Sequence, residues 1–325
     1  MPPNRGGWHG HLAREFRGAA PALDCGSLSP EDPRMVYRWF LQRWLRGVAQ
    51  EKVRRTVVEA ARERLAEAEA TGRPRPCHVG VVFALGEESG GLEDLLSGVA
   101  TTKGDGFVVR QGELRHRRVV VVVSGAGRPQ AANATEALIA GHQPGWVIAA
   151  GFCGGLSPKL ARHDLLLADA LVDALGQRLE VSLDKVGEEI RARGGVHIGP
   201  LLQVDQVVRL PDEKRALGEK HGAWAADMES LAVAEVCRSR NVPFLAIRAV
   251  SDAVDDRLPP EVSYLLRQKT RTARLGAALG AILNRPGSVK DLVRLRQDAL
   301  AASDRLARLL SAVVRHLVPL PPAET

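Results

Sequence analysis

The middle of the chain contains short, almost wholly apolar runs, at residues 79–85, 119–123, 147–150, 165–172 and 244–250. Runs of this length without polar alternation are typical of strands buried on both faces. Between some of them, at residues 130–140 and 230–240, the apolar positions recur at helical spacing. The pattern therefore predicts an α/β domain with a largely parallel sheet.

Helical patterns flank this middle region on both sides. Apolar residues recur at helical spacing from Val36 to Leu65, and the Gly/Pro/Arg stretch at 71–76 ends that pattern. After the break at 285–287, a basic amphipathic helix is predicted over residues 289–314. We expect three parts: a helical N-terminal extension and linker at 1–76, a central domain at 77–284 and a C-terminal helix at 285–325.

Charge is distributed unevenly along the 325 residues, whose formal net charge is +7. Residues 1–76 carry +5, residues 77–266 carry −5 and residues 267–325 carry +7. An acidic middle argues against a groove that follows a phosphate backbone, so no nucleic-acid partner is expected. The four cysteines lie far apart, and no apolar run approaches a membrane span or a signal peptide. We expect no metal site and a cytoplasmic protein.

Polar and small residues follow the predicted strands at the edge where an open α/β sheet binds its ligands. They include two carboxylates, a serine–glycine turn, a glycine-rich segment and a Ser-Asp pair: Glu87 and Glu88, Ser124 and Gly125, Gly151 and Phe152, Ser251 and Asp252. Met228 and Glu229 directly precede the helix predicted at 230–240. This chemistry predicts a site for a polar, neutral or cationic ligand.

Other interpretations of these residues stay open. The turn at 124–131 could be a dinucleotide fingerprint, although no acid is placed to hold a ribose hydroxyl. Glu87 and Glu88 could be the acidic first turn of a helix. Asp252 could cap the following segment, and Glu229 could be a solvated carboxylate at a helix start.

In their order and spacing, the segments around Glu88, Ser124, Gly151, Glu229 and Asp252 resemble the nucleoside phosphorylase/nucleosidase superfamily. Within it, they are most similar to methylthioadenosine/S-adenosylhomocysteine nucleosidases and futalosine hydrolases. The resemblance implies a three-layer α/β/α phosphorylase-like fold with a central mixed, mostly parallel sheet and added N- and C-terminal helices. It also implies a homo-oligomer and no metal or organic cofactor.

The resemblance implies a role for each site residue. Asp252 would protonate the departing purine, and Glu88 would activate the attacking water. Glu229 would bind the ribose hydroxyls, Met228 would pack on the sugar, and Ser124, Gly125, Gly151, Phe152 and Ser251 would complete the substrate site. Phosphorylases of this superfamily present arginines to phosphate, but this chain has Glu87-Glu88 and Ala149 at those places. We therefore expect a nucleosidase, with a purine nucleoside phosphorylase as the alternative.

The substrate is expected to be an adenosine-type nucleoside, such as methylthioadenosine, S-adenosylhomocysteine or an adenosylated lipid. The aromatic that stacks on the purine in methylthioadenosine nucleosidases is missing, and residues 204–208 are candidates for the base pocket instead. Short stretches at 226–230, 256–260 and 285–286 look more like hopanoid-associated nucleosidases. The basic, aromatic segment at 37–46 is a candidate for peripheral membrane contact. A non-catalytic nucleoside-binding or scaffold protein is the alternative from another class.

Overall fold

In the described part of the chain, ten strands form one mixed sheet, with helices against both faces. The computed structural model describes residues 76–103, 107–258 and 288–319. The predicted N-terminal helix, the candidate membrane segment at 37–46 and the stretches at 259–260 and 285–286 lie outside the described residues. The division of the chain at residues 76 and 284 stays a prediction.

Strands and helices follow one another along the chain, with two runs of three successive strands. In order they are β1 (Val79–Phe83), α1 (Gly86–Glu93), β2 (Ser97–Lys103), β3 (Val108–Leu114), β4 (Arg117–Val123), α2 (Arg128–His142), β5 (Trp146–Gly155), β6 (Leu165–Val172), β7 (Arg178–Glu180), α3 (Glu188–Arg191), β8 (Val196–Gln203), α4 (Pro211–His221), β9 (Ala225–Asp227), α5 (Ser230–Ser239), β10 (Phe244–Asp252) and α6 (Ser288–Leu317).

Parallel strands form the centre of the sheet, in the order β4, β1, β5 and β10. Antiparallel strands β3 and β2 extend it beyond β4. On the other side the pairings close on themselves, because β5 pairs with both β10 and β9, and β6 and β8 join those two strands. The ten-residue strand β5 therefore belongs both to the open sheet and to a closed ring of five strands.

Successive side chains of β1 pack alternately against the two helical layers on opposite faces of the sheet. Val79, Val81 and Phe83 join the core beneath α1 and α6, whereas Val82 joins the core beneath α2 and α5. This two-sided burial explains why the strand is a continuous apolar run, since neither of its faces meets water. Gly80 allows the closest approach of α2, because a Cβ there would lie 2.6 Å from a methyl carbon of Leu138.

The C-terminal helix α6 packs into the same core. Ala302, Leu306, Leu310 and Val313 are buried at the three- and four-residue spacing of one helix face. The Oγ of Ser303 accepts a hydrogen bond from the Gly91 N–H at 3.0 Å, which ties α6 to α1. In the described part of the chain, no helix is long and apolar enough to cross a bilayer.

The expected α/β/α architecture is confirmed. All five predicted strands and both predicted helices of the middle region are present, within a few residues at their ends. The sheet is mixed as expected, with its parallel pairs at the centre. The sequence analysis missed β2, β3, β7, β8, β9, α3 and α4. Helix α4 matters most of these because it lines the candidate site. Helix α1 bears out the alternative that Glu87 and Glu88 form the acidic first turn of a helix.

Candidate active site

A cavity of about 240 Å³ opens at the carboxyl ends of β1, β5 and β10. This volume is enough for an organic molecule, because one water needs only about 10–15 Å³ on the same measure. Five acids and one cation line it: Glu88, Asp227, Glu229, Asp252, Asp298 and Lys214. Most of the remaining lining is apolar, which is common for sites that bind small molecules.

Glu88 is held in the first turn of α1 with its carboxylate buried at 5% exposure. Its Oε2 accepts hydrogen bonds from the N–H groups of Ala84 at 3.1 Å and Leu85 at 2.8 Å, and its Oε1 accepts one from Phe152 at 2.9 Å. Burial raises the pKa of Glu88 above its ordinary value, against the opposing effect of the Arg248 charge. A raised pKa suits a general base that must take up a proton near neutral pH.

Helix α6 also contacts the peptide that carries this carboxylate. The Ser303 hydroxyl donates a hydrogen bond to the backbone oxygen of Glu88 at 3.0 Å. Ser303 thus bonds to α1 in two places, at Glu88 and at Gly91. The position of the Glu88 carboxylate therefore depends on the packing of the C-terminal helix.

Arg248 is a fully buried charge in the middle of β10, with 1% exposure. It forms an ion pair with Asp227 at 2.5 Å, and its Nε and Nη2 donate hydrogen bonds to Ser230 Oγ at 3.1 and 2.8 Å. Among the described residues, its Nη1 has no hydrogen-bond partner. A Cβ on Gly151 would meet both this guanidinium and Glu88, so the glycine leaves room where the two charged groups approach each other.

Glu229 lies at the start of α5 and is buried, with 7% exposure, rather than solvated. Its Oε1 accepts a hydrogen bond from the N–H of Gly127 at 2.8 Å. The N–H of the glycine turn therefore binds a carboxylate of the protein itself. Burial and the neighbouring Asp227 charge raise the pKa of Glu229 from 4.5 to about 7.

Ser124 and Gly125 belong to the same turn, but they are not among the residues that line the cavity. Ser124 is buried, and its hydroxyl lies within hydrogen-bond distance of the backbone oxygens of Phe83 and Gly125, at 3.2 and 2.8 Å. Ala126 is the residue of this turn that reaches the cavity. A direct substrate contact by Ser124 or Gly125 stays a prediction.

Asp252, at the end of β10, is buried with 4% exposure and is bonded on both of its oxygens. The Ser251 hydroxyl donates to Oδ1, and the ammonium of Lys214 donates to Oδ2, each at 2.5 Å. Lys214 comes from α4 and is itself fully buried. Asp252 is therefore an ion-paired carboxylate and not an isolated buried acid.

The side walls of the cavity are apolar. Phe152 and Met228 line it together with a valine set from the loop between β8 and α4: Val204, Val207 and Val208. The expectation that residues 204–208 contribute to the pocket agrees with this placement. Cys153 also lines the cavity, but its thiol is buried and burial raises its pKa, so little thiolate is available for nucleophilic attack.

The structure thus brings six of the predicted site residues to one cavity: Glu88, Phe152, Met228, Glu229, Ser251 and Asp252. Sequence analysis assigned no role to Arg248 or Lys214. A lone arginine within an apolar strand is a usable signal, because a buried charge requires a partner. Lys214 gave no such signal, since α4 has the composition of a surface helix.

The mixed sheet and the acid-lined cavity at its strand ends define an α/β protein whose site has the size and the chemistry to suit a small polar ligand. Residues 78–284 match the family described as the phosphorylase superfamily. Because the match covers more than half of the chain, the protein belongs to the phosphorylase superfamily, which confirms the resemblance seen in its motifs.

Curated relatives of the chain are named as nucleosidases. The chain is 27% identical over 200 residues to a 5'-methylthioadenosine/S-adenosylhomocysteine nucleosidase of Haemophilus influenzae, covering 55% of this chain and 87% of that one. It is 29% identical over 201 residues to the enzyme of the same name from Actinobacillus succinogenes, covering 54% and 86%.

Solved structures show the same fold. A 5'-methylthioadenosine/S-adenosylhomocysteine nucleosidase of Streptococcus pneumoniae with a transition-state inhibitor superposes with a TM-score of 0.57 at 21% identity, covering 74% of this chain and 100% of that one. The futalosine hydrolase of Helicobacter pylori superposes with a TM-score of 0.56 at 20% identity, covering 73% and 97%.

Proposed function

We propose that this protein hydrolyses the N-glycosidic bond of an adenosine-type purine nucleoside and releases the free base and the sugar. The observation that carries the proposal is the convergence of Glu88, Glu229 and Asp252 on one cavity. Membership of the phosphorylase superfamily and the named activity of the curated relatives support it.

Glu88 suits the activation of water. A water in the cavity would donate a hydrogen bond to the Glu88 carboxylate, whose negative charge the buried guanidinium of Arg248 stabilises. As the water oxygen attacks C1′ of the sugar, its proton passes to Glu88, and the electron pair of the C1′–N bond leaves with the purine. Proton transfer of this kind contributes about 10²–10⁴-fold in rate.

Glu229 and Asp252 suit the two ends of the substrate. Glu229 would accept hydrogen bonds from the ribose hydroxyls, with Met228 against the sugar. Asp252 would deliver a proton to the five-membered ring of the purine, which lowers the charge on the leaving group. Phe152 and the valines of the 204–208 loop would enclose the flat, largely apolar base.

The charges of the cavity favour water over phosphate as the nucleophile. Of the described residues that line it, five are acids and only Lys214 is a cation. All three donors of that lysine are already taken by protein oxygens. A phosphate dianion would therefore meet mainly acidic side chains, with no free cation in the described lining to bind it.

The test is a search for free base after incubation with methylthioadenosine, S-adenosylhomocysteine, adenosine, inosine and futalosine, with and without phosphate. We expect base release without phosphate from at least one adenine nucleoside. The Glu88→Gln and Asp252→Asn variants should lose about 10²–10⁴-fold in kcat. Glu87→Gln is the matched control, because Glu87 is the exposed neighbour on the same helical turn.

Two outcomes would count against the proposal. A strict requirement for phosphate would make the protein a phosphorylase. No base from any of the five nucleosides would leave an adenosylated lipid as the substrate to assay, and no base from that compound either would favour the non-catalytic alternative.

A further inference from the structure

Lys214 is the most deeply buried charge at the cavity that the mechanism above does not use. Its Nζ lies 2.5 Å from Asp252 Oδ2, 2.8 Å from the backbone oxygen of Ala253 and 2.9 Å from the backbone oxygen of Asp256. An ammonium group has three N–H donors, so all of them are used. This geometry fixes the ammonium in one place at the end of β10.

This arrangement creates a difficulty for Asp252 as an acid. The carboxylate accepts hydrogen bonds from Lys214 on one oxygen and from Ser251 on the other, so in this arrangement neither oxygen donates a hydrogen bond toward a purine. Of its two hydrogen-bond donors, the Lys214 ammonium is a much stronger acid than the Ser251 hydroxyl. The pair, not Asp252 alone, therefore holds the proton that the leaving base requires.

Stability alone gives little reason to keep this pair. A buried ion pair often stabilises a fold no better than well-packed apolar residues of the same volume would, since both charges lose their hydration. The lysine here is fully buried beneath α4 and directed at a cavity-lining carboxylate. A role in the reaction explains that placement.

We propose that Lys214 is a positioning residue for leaving-group protonation, an inference that rests on the proposed function. Lys214 supplies the proton that Asp252 passes to the purine. As the C1′–N bond breaks, the proton on Nζ moves to Asp252 and the Asp252 carboxyl gives a proton to the base. Lys214 becomes a neutral amine and Asp252 is again a carboxylate.

The surrounding groups allow this transfer and its reversal. The Ser251 hydroxyl lies within 3.1 Å of the backbone oxygen of Cys153 and can turn to it. This releases Oδ1, so the carboxyl group can rotate and present to the base the oxygen that has received the Lys214 proton. After turnover the amine lacks one proton and Glu88 carries one extra. Exchange with solvent as the products leave restores both groups, so the cycle balances.

The test compares Lys214→Met with wild type, using the adenine nucleoside that the wild type cleaves. We expect kcat to fall by about 100-fold or more with KM changed less than about threefold, because the interaction is needed only in the transition state. Lys214→Gln keeps N–H donors but no transferable proton, so it should lose kcat as well. Lys220→Met is the matched control, since Lys220 is exposed on the same helix.

A double variant separates this role from a structural one. On an Asp252→Asn background, Lys214→Met should lower kcat by less than about threefold further, because residues that act as a unit are strongly non-additive. Effects that multiply, or a Lys214→Met kcat within threefold of wild type, would overturn the inference while the hydrolase assignment stands. A wild type that releases no base from the five nucleosides or from an adenosylated lipid would instead refute the proposed function.

Discussion

Glu229 provides a test of the site's electrostatics that does not depend on knowing the substrate. Glu229→Gln removes the charge but keeps an amide oxygen that can accept the Gly127 N–H bond. The variant should therefore fold with the same turn in place. The like charge of Asp227 then has no neighbouring carboxylate to repel.

The sign of the effect follows from the raised pKa. Burial and Asp227 raise the pKa of Glu229 from 4.5 in the unfolded chain to about 7 in the folded one. The folded state thus binds the proton more tightly, so the stability that this proton contributes is present below pH 4.5 and is lost as the pH rises through 7. At about 1.4 kcal/mol per pH unit, the loss is about 3 kcal/mol.

Urea denaturation of wild type and Glu229→Gln at pH 5 and pH 8 measures this loss. The two proteins should differ little at pH 5, and the variant should be more stable by about 3 kcal/mol at pH 8. Glu219→Gln, at an exposed position of α4, is the control and should show no such change. A stability difference that is the same at both pH values, within about 1 kcal/mol, would refute the burial argument.

Three further predictions concern packing and reactivity. Gly151→Ala should reduce kcat by at least about tenfold with the circular dichroism unchanged. The reason is that a Cβ there would lie 2.9 Å from the Glu88 oxygen of the proposed general base. Gly90→Ala is the control and should leave kcat unchanged, because nothing lies within 4 Å of its Cβ. Leu306→Ala should lower the free energy of unfolding by about 2–5 kcal/mol in urea titration, whereas Leu300→Ala, at a position 49% exposed, should change it by less than about 1 kcal/mol. Cys153 should resist alkylation by iodoacetamide at pH 8 until urea unfolds the protein, and peptide mass spectrometry showing modification of the folded protein would contradict the burial described.

Hydrophobic pattern was a good guide to strands that are buried on both faces. The β1 and β4 runs are apolar throughout, and the β10 run is apolar except for Arg248, because helices cover both sides of these strands. It failed for β2, where Ser97, Gly98 and Lys103 leave a polar strand at the sheet edge. It also failed for β9, whose three residues are too few for a pattern. Both strands are held in place by hydrogen bonding to neighbouring strands, and a single sequence does not show which strands pair.

The carboxylates of the site could be predicted because the topology of the sheet fixes where they lie. Glu88, Asp252 and Glu229 each lie at or next to the end of a strand or the start of a helix, and strand ends meet at one edge. Lys214 could not be predicted in this way. It stands among Asp212, Glu213 and Arg215, and only its contacts with Asp252 and with two backbone oxygens after β10 distinguish it from those exposed neighbours.

Helix α4 begins three residues after Val208, so one short segment carries both the apolar wall of the cavity and the partner of Asp252. An engineer who exchanged this segment to accept a different base would also move the ammonium that the carboxylate depends on. On the proposed mechanism, substrate range and turnover rate are therefore coupled through one segment of the chain. A redesign of its selectivity should keep the Pro211–His221 helix fixed and vary only the loop before it.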